Sequence, residues 1–552
     1  TITPTPFVAY PDNVRDFFNT GRAITNNIAL AGSNNNGDFR LSYTNLDQTG
    51  IVPNTDLKRN TFNFNGSYKL TSKLTARANV SYIRNTSGNR PSLSYGTENI
   101  MYLFNCWFGR HIDINSLRDY WQPGLEQIQQ FNFNYNYHDN PYFNMFENTN
   151  SQNIDRIIGN ITLQYQLTDW LSIQGRTQVD FADERRERRR AFSTQRFPFG
   201  SFRREDIRTL ERNTDLLISV NRNILPELTL SANVGGNQLV QTFDNLDVFA
   251  PQLTVPGVYN LTNNRVPLQS SEFGFTRRKN SLFGSAQLGY RNFLFLDLTA
   301  RNDWSSTLTL PPGTVGVEDN SYFYPSANVS AVVSEMVRMP QIVSLLKLRA
   351  GIAQVGNDTD PYQFAQPFSA QVPWGTTPTF AQSNVIPNLQ LKPEITTAQE
   401  YGIDLRLLNG RVGLDVTYYR SDSRNQIIRV PLEVATGAGA VIQNAGLIRN
   451  QGWEVMLNLT PVQTIDNSFR WDVNINYSRN RSQVESLGNQ LRVYELASRY
   501  FSVQARVGER MGDMYGFGYR RVSSDPTDQY YDPTGQFVGQ PVVVDGRPVA
   551  TA

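Results

Sequence analysis

Between positions 391 and 484 the chain alternates apolar and polar residues over long runs. Ile403, Leu405 and Leu407 are apolar, and the charged Asp404 and Arg406 lie between them. After Asn409-Gly410 the chain returns with Val412, Leu414, Val416 and Tyr418 on one face and Gly413, Asp415, Thr417 and Tyr419 on the other. Asn-Gly is a strong hairpin signal, because both central residues of a type I′ turn need φ > 0. A second hairpin repeats the pattern. Val455, Leu457 and Leu459 lead out, and Trp471, Val473, Ile475 and Tyr477 lead back, with Asp472, Asn474, Asn476 and Ser478 between them. One-for-one alternation means a strand with one apolar and one polar face. Soluble strands run to about five or six residues. These runs reach about ten to fifteen, and a transmembrane strand needs about 9–11. Lipid on one face and a polar lumen on the other accounts for both length and period.

The same pattern predicts strands at 22–33, 37–46, 57–70, 73–87, 154–167, 170–183, 208–225, 227–243, 275–291, 293–305, 322–335, 345–357, 395–408, 411–427, 447–461 and 468–482, with a further one near 515–522. That makes about sixteen or seventeen. Residues 1–21 show no period and read as a lead-in, with 22–552 as the barrel. Connections alternate in length. Short ones fall at Thr71-Ser72, Thr168-Asp169, Pro226, Arg291-Asn292 and Asn409-Gly410, with a slightly longer one at 461–467. Long ones fall at 88–153, 184–207, 244–274, 306–321, 358–394, 428–446 and 483–514. Short periplasmic turns and long extracellular loops belong to outer-membrane barrels. No blade-sized repeat supports a propeller. The fold class expected is therefore all-β, a transmembrane antiparallel β-barrel.

A mean hydropathy of −0.44 does not oppose this, because half of each barrel strand faces water. Aromatic residues at 12% suit interfacial girdles. A net charge of +2 gives no sign of a nucleic-acid partner. Cys106 is the only cysteine, which excludes an internal disulfide, and His111 and His138 are the only histidines. A Cys- or His-based metal site, a cofactor and a catalytic triad all lack support. No signal peptide opens the chain, so an exported barrel is expected to begin upstream of Thr1.

Several short motifs occur in a fixed order. They are Phe17-Phe18-Asn19-Thr20-Gly21, Gly50-Ile51-Val52-Pro53-Asn54 with Leu57 and Arg59, Arg301-Asn302-Asp303-Trp304-Ser305-Ser306, Tyr324-Pro325-Ser326 with Ser334-Glu335, and Leu346-Lys347-Leu348-Arg349 with Gly356-Asn357. Leu391-Lys392-Pro393-Glu394 and Asn444-Ala445-Gly446-Leu447-Ile448-Arg449-Asn450-Gln451-Gly452-Trp453-Glu454 follow. Together they resemble the barrel of the SusC/RagA family of TonB-dependent outer-membrane transporters. Two departures stand out: Trp304 where the family usually has Gly, and Arg510 where it usually has Pro. The resemblance implies a barrel of the 22-stranded type with a plugged lumen. It also implies an N-terminal extension, a TonB box and a plug before Thr1, and closing strands after Ala552. It implies active import of an oligosaccharide or oligopeptide, with TonB acting through the plug and a SusD-like surface lipoprotein as lid. A dimer of transporter–lid pairs is compatible with it. A passive porin-like channel and a surface-binding or structural outer-membrane protein are the alternatives.

The long loop 88–153 holds the candidate substrate contacts. Phe131-Asn132-Phe133-Asn134-Tyr135-Asn136-Tyr137 alternates ring and amide, so Phe131, Phe133, Tyr135 and Tyr137 could stack on a ligand that the amides hydrogen-bond. Tyr102 and Trp107 add rings from the same loop. The alternative is that these rings pack inside the loop or face lipid. Glu184-Arg185-Arg186-Glu187-Arg188-Arg189-Arg190 is a potential contact for lipopolysaccharide phosphates, or a set of ion pairs across a hairpin that rises above the membrane. Asp38, Asp180, Asp415 and Asp472 are expected to face the lumen. Gly437-Ala438-Gly439-Ala440 lacks the context of a phosphate loop and reads as a loop tip.

Overall fold

In the computed structural model, residues 7–550 are described apart from 94, 317, 465, 467, 489, 490 and 500. Sixteen long strands follow one another: β1 Arg22–Ser33, β2 Gly37–Thr49, β3 Asp56–Lys69, β4 Leu74–Ser87, β5 Asn150–Thr168, β6 Leu171–Thr194, β7 Phe197–Leu225, β8 Leu228–Ala250, β9 Gln269–Tyr290, β10 Leu294–Ser305, β11 Ser321–Val332, β12 Val343–Asn357, β13 Glu394–Leu407, β14 Val412–Arg424, β15 Leu447–Gln463 and β16 Arg470–Ser486. The chain divides into two compact units. One runs to Asn221 and resumes over Asn233–Leu282; the other comprises Arg222–Ala232 and Phe283–Ala552. Within each, hydrogen-bonded neighbours are consecutive long strands. Among the described residues no helix is long and apolar enough to cross a membrane.

The register turns the alternation into rows. In the second unit, Leu346, Leu405, Leu414, Leu457 and Ile475 lie side by side across β12–β16, and Leu348, Ile403, Val416, Val455 and Tyr477 form the next row on the same face. Two residues further along, Tyr401, Tyr418 and Trp453 align as an aromatic row, with the Tyr418 and Trp453 rings 4.9 Å apart. Two residues beyond that the row is Gln399, Arg420, Gln451 and Arg481. The first unit has the same order. Leu30, Leu41, Phe64 and Val80 precede Ile28, Tyr43, Phe62, Tyr82 and Ile157, and then come Asn26, Asn45, Asn60, Arg84 and Asp155. Apolar, aromatic and polar rows on one face trace the hydrocarbon slab, its interfacial girdle and the water above it.

The opposite face is polar and cross-linked. Arg349 of β12 passes over Gly402 of β13 and places its guanidinium on Asp415 of β14, with N–O distances of 2.9 and 2.6 Å, and on the Thr417 hydroxyl at 2.7 Å. A Cβ on Gly402 would sit 2.2 Å from the Arg349 Nε, so only glycine leaves the passage open. Arg156 likewise holds Asp180, and Asp472 accepts from Thr460 and Arg470. These aspartates are tied to neighbouring strands.

All sixteen strands expected from the pattern are present, and several boundaries are corrected. The span 184–207 is not a loop: β6 and β7 continue to a two-residue turn, Gln195-Arg196. Charged residues occupy both faces of the two strands there, and ion pairs form between β6 and β7, such as Arg185–Asp206 at 2.8 Å. Strands β8 and β9 also outrun their expected ends, leaving 251–268 as their loop. β11 stops at Val332, and Val333–Met336 makes one helical turn closed by Val337 N–H on the Val333 carbonyl. No strand spans 515–522. Instead Met511–Tyr515 pairs with Ser502–Arg506, which pairs with Val493–Ser498. The 358–394 and 428–446 loops hold short strands of their own. At the Asn409-Gly410 hairpin two turns overlap: Gly410 N–H bonds the Leu407 carbonyl, Arg411 N–H bonds the Leu408 carbonyl, and Leu408, Asn409 and Gly410 all carry positive φ values. At Thr460-Pro461 a bulge shifts the pairing so that Trp471 faces Val462, because proline has no N–H for the ladder. Part of the 461–467 turn lies outside the described residues.

Replacing Gly402 with Val should displace Arg349 from Asp415. We expect a loss of about 1–2 kcal/mol, larger than for Asp415→Asn. The check is the temperature at which the folded band of the full-length protein vanishes on an unboiled gel.

Candidate functional site

The loop joining β4 to β5, residues 88–149, is a small folded body. Helix α1, Ile100–Cys106, buries Ile100, Leu103 and Phe104 at the i, i+3, i+4 spacing of one helical face. Asn99 caps it by accepting from the Met101 and Tyr102 N–H groups. Helix α2, Pro141–Phe146, is capped by Asn140, whose amide also donates to the carbonyls of Leu117 and Phe131 at 2.9 and 2.8 Å. Phe17 from the segment before β1 joins Leu103, Phe104, Phe108, Leu117, Tyr142 and Met145 in one core.

A buried polar clasp ties this body to the β6–β7 tip. The Gln130 side chain donates to the Ser193 carbonyl at 2.6 Å and to Asp139 at 2.8 Å, and the Gln195 N–H donates to Asp139 at 2.9 Å. Burial pushes the Asp139 carboxyl up to about 6, against the pull of those two donors. Nearby, Arg190, only 4% exposed, makes a bidentate pair with Glu98 at 3.0 and 2.6 Å. Burial opposes the charge on Glu98, yet the Arg190 bonds and the charges of Arg188 and Arg196 hold its carboxyl below its ordinary value.

The alternation at 131–137 does not produce one ring face and one amide face. The Asn132 amide is buried and donates to the carbonyls of Asn134 and His138, and its backbone N–H donates to the Tyr135 hydroxyl at 3.0 Å. The segment therefore folds as turns, which occupy the Asn132 amide internally and send the rings to different places. Phe133 packs edge-on against Phe108, 5.1 Å away, at the core. Phe131 is exposed, and Tyr135 is exposed with its hydroxyl engaged. Tyr137 instead reaches Trp107, with ring centres 5.0 Å apart. Tyr102 and Tyr95 pair at 4.7 Å with their hydroxyls 3.0 Å apart. All three of Tyr102, Trp107 and Tyr137 surround the His138 ring, at 5.7, 5.5 and 4.8 Å. His138 is fully buried, and burial lowers its pKa, so it is neutral near pH 7. The Tyr102 hydroxyl, which bonds the Tyr95 hydroxyl and lies among the polar edges of Trp107 and Tyr137, is held below its ordinary value by these neighbours, Tyr95 first.

Three of the six sequence candidates, Tyr102, Trp107 and Tyr137, thus form one cluster. Phe131, Phe133 and Tyr135 lie apart from it. Tyr95 and His138 complete the cluster and were not singled out, because no spacing links positions 95, 102, 107 and 137. Among the described residues no His, Cys, Asp and Glu side chains gather as a metal site.

A polar-lined strand wall with an apolar, aromatic-girdled outer face defines an outer-membrane β-barrel protein. Residues 126–541 match the family model described as TonB dependent receptor-like, beta-barrel, and the chain belongs to that family. TonB-dependent receptor P26 of Formosa agariphila is 26% identical over 484 residues, covering 84% of this chain and 46% of the relative. TonB-dependent receptor SusC of Bacteroides thetaiotaomicron is 28% identical over 271 residues, 46% of this chain and 26% of SusC. The structure of the RagAB peptide transporter shares the fold, with a TM-score of 0.76 at 18% identity over 93% of this chain and 56% of that one. The barrel is that of a TonB-dependent receptor and shares its fold with RagAB, in keeping with the resemblance its motifs carry, and it resides in the outer membrane. Its relatives are named receptors and transporters, and it is not an enzyme. The chain spans about half the length of the curated relatives P26 and P3.

The clasp carries a pH dependence whose sign follows from Asp139. Its folded pKa of about 6 exceeds the unfolded value, so the folded loop holds the extra proton, and docking weakens as pH rises from about 4 through 6. The expected change is on the order of 1–3 kcal/mol. Exchange of the Gln195 amide, corrected for intrinsic rate, should be slower at pH 5 than at pH 7, and Asp139→Asn should abolish the difference.

Proposed function

We propose that the full-length protein actively imports a nutrient oligomer, an oligosaccharide or oligopeptide, across the outer membrane. The observation that carries this reading is the cluster of Tyr95, Tyr102, Trp107 and Tyr137, fixed by α1 and by the clasp on an outer loop. Flat, partly exposed rings in a rigid frame suit stacking against sugar rings or peptide side chains. Phe131 and Tyr135 are exposed on the same loop and supply peripheral contacts, while Phe133 supports the frame from the core side. TonB acts through a plug domain, and a SusD-like surface lipoprotein serves as lid; the SusC/RagA character of the barrel supports both. A pore closed by a plug needs such energy input, because nothing large diffuses through it. A dimer of transporter–lid pairs suits the same type of barrel.

Cells producing the full-length protein with Trp107→Ala and Tyr137→Ala together should take up labelled oligomer about tenfold more slowly at equal surface expression. Collapse of the proton gradient should stop uptake by the unsubstituted protein. Uptake that continues without the gradient would support a passive channel instead.

A further inference from the structure

Beside the aromatic cluster, on the polar face of β5 and β6, lies a pocket of about 440 Å³. Its walls are the segment 90–93 with Glu98, the outer end of β5 from Asn150 to Gln152, and β6 from Arg186 to Arg190. Arg90, Arg186, Arg188 and Arg190 line it against only Glu98 and Glu187, two more positive than negative groups. Both carboxylates are already committed, Glu98 to Arg190 at 2.6 Å and Glu187 to Arg189 at 3.0 Å. Behind the wall Glu184 holds Arg186 at 2.5 Å, and Glu205 is shared among Arg186, Arg188 and Arg203 at 3.8, 3.6 and 3.5 Å. Arg188 therefore has one distant carboxylate, and Arg90 bonds the neutral Gln152. Each guanidinium carries five N–H donors in a planar fork, so both retain donors for an incoming anion.

We infer that this pocket is a subsite for an anionic group, a carboxylate or sulfate ester, on an acidic oligosaccharide. The inference rests on the import reading above and names its substrate class. Arg186 and Arg188 share the polar face of their strand, opposite the face that carries the apolar rows, so a membrane-lipid phosphate is not the group they meet. The pocket and the rings are joined by a short piece of chain. Leu93 lines the pocket and Tyr95 pairs with Tyr102, while Glu98 precedes the α1 cap and anchors on Arg190. A sugar face on the rings and an acidic substituent in the pocket thus fit one ligand.

Detergent-purified full-length protein would be titrated with hexagalacturonate, with its fully methyl-esterified form, with a sulfated κ-carrageenan hexamer, and with an Asp-rich peptide of equal charge. The expected result is that at least one acidic sugar binds about 10–100-fold more tightly than the neutral ester, the range of one or two charge-assisted hydrogen bonds. Arg90→Gln with Arg188→Gln should bring its affinity down to that of the ester, and Arg188→Lys alone should keep part of the preference. The folded gel band confirms that each variant is intact. The carboxylated and sulfated probes tell the two anions apart. Equal binding of acidic and neutral sugars overturns the subsite and leaves the aromatic contact standing. Binding of no sugar removes both, and binding of the peptide alone overturns the sugar assignment.

Discussion

A strand in lipid must satisfy every backbone N–H and C=O through its neighbours, since no water is there to do it. That demand fixes the antiparallel register, and the register fixes which side chains share a row. In the second unit the row Tyr401, Tyr418 and Trp453 lies between the Leu348–Tyr477 row and the Gln399–Arg481 row. A one-residue slip would send every one of these groups to the opposite face. The same ladder places Gly402 under Arg349, so a charge on β12 reaches its partner on β14 without distorting the strand between.

The outer loop depends on that wall. Its core is apolar, but its attachment is polar: Gln130, Asp139 and Asn148 bond the β6–β7 tip, and Glu98 bonds Arg190. Buried polar contacts of this kind are directional, and each unmade bond is costly, so they set orientation as well as adhesion. The rings of Tyr102, Trp107 and Tyr137 are held on a platform that the strands position. The arginines of β6 line the neighbouring pocket because the strand period puts Arg186, Arg188 and Arg190 on one face.

The barrel was largely legible in the sequence because a strand between lipid and water writes its period directly into residue type. Charged runs obscured that signal: Glu184 to Arg190 has no apolar face to mark, yet it continues the ladder through ion pairs. Val333–Met336 continues the strand run without a Gly or Pro to mark a stop, while its backbone closes locally, Val337 N–H on the Val333 carbonyl. The site was legible only in part. The residue types at 102, 107 and 137 pointed to a ring surface, but their meeting depends on α1 and on the turns after Asn132, and neither leaves a spacing to read. Phe131, Phe133 and Tyr135 seemed to share a face because ring and amide alternate; Asn132 instead spends its amide on carbonyls of its own loop.

The central claim is that one face of each strand meets lipid and the other meets water. Spin labels placed singly at positions 161 to 167 of β5, with Cys106 replaced by Ser, would test it in the full-length protein in outer membrane. Accessibility to oxygen should peak at Ile161, Leu163, Tyr165 and Leu167, and accessibility to a polar nickel chelate at Thr162, Gln164 and Gln166. Uniform accessibility along the strand, or the opposite phase, would contradict the account.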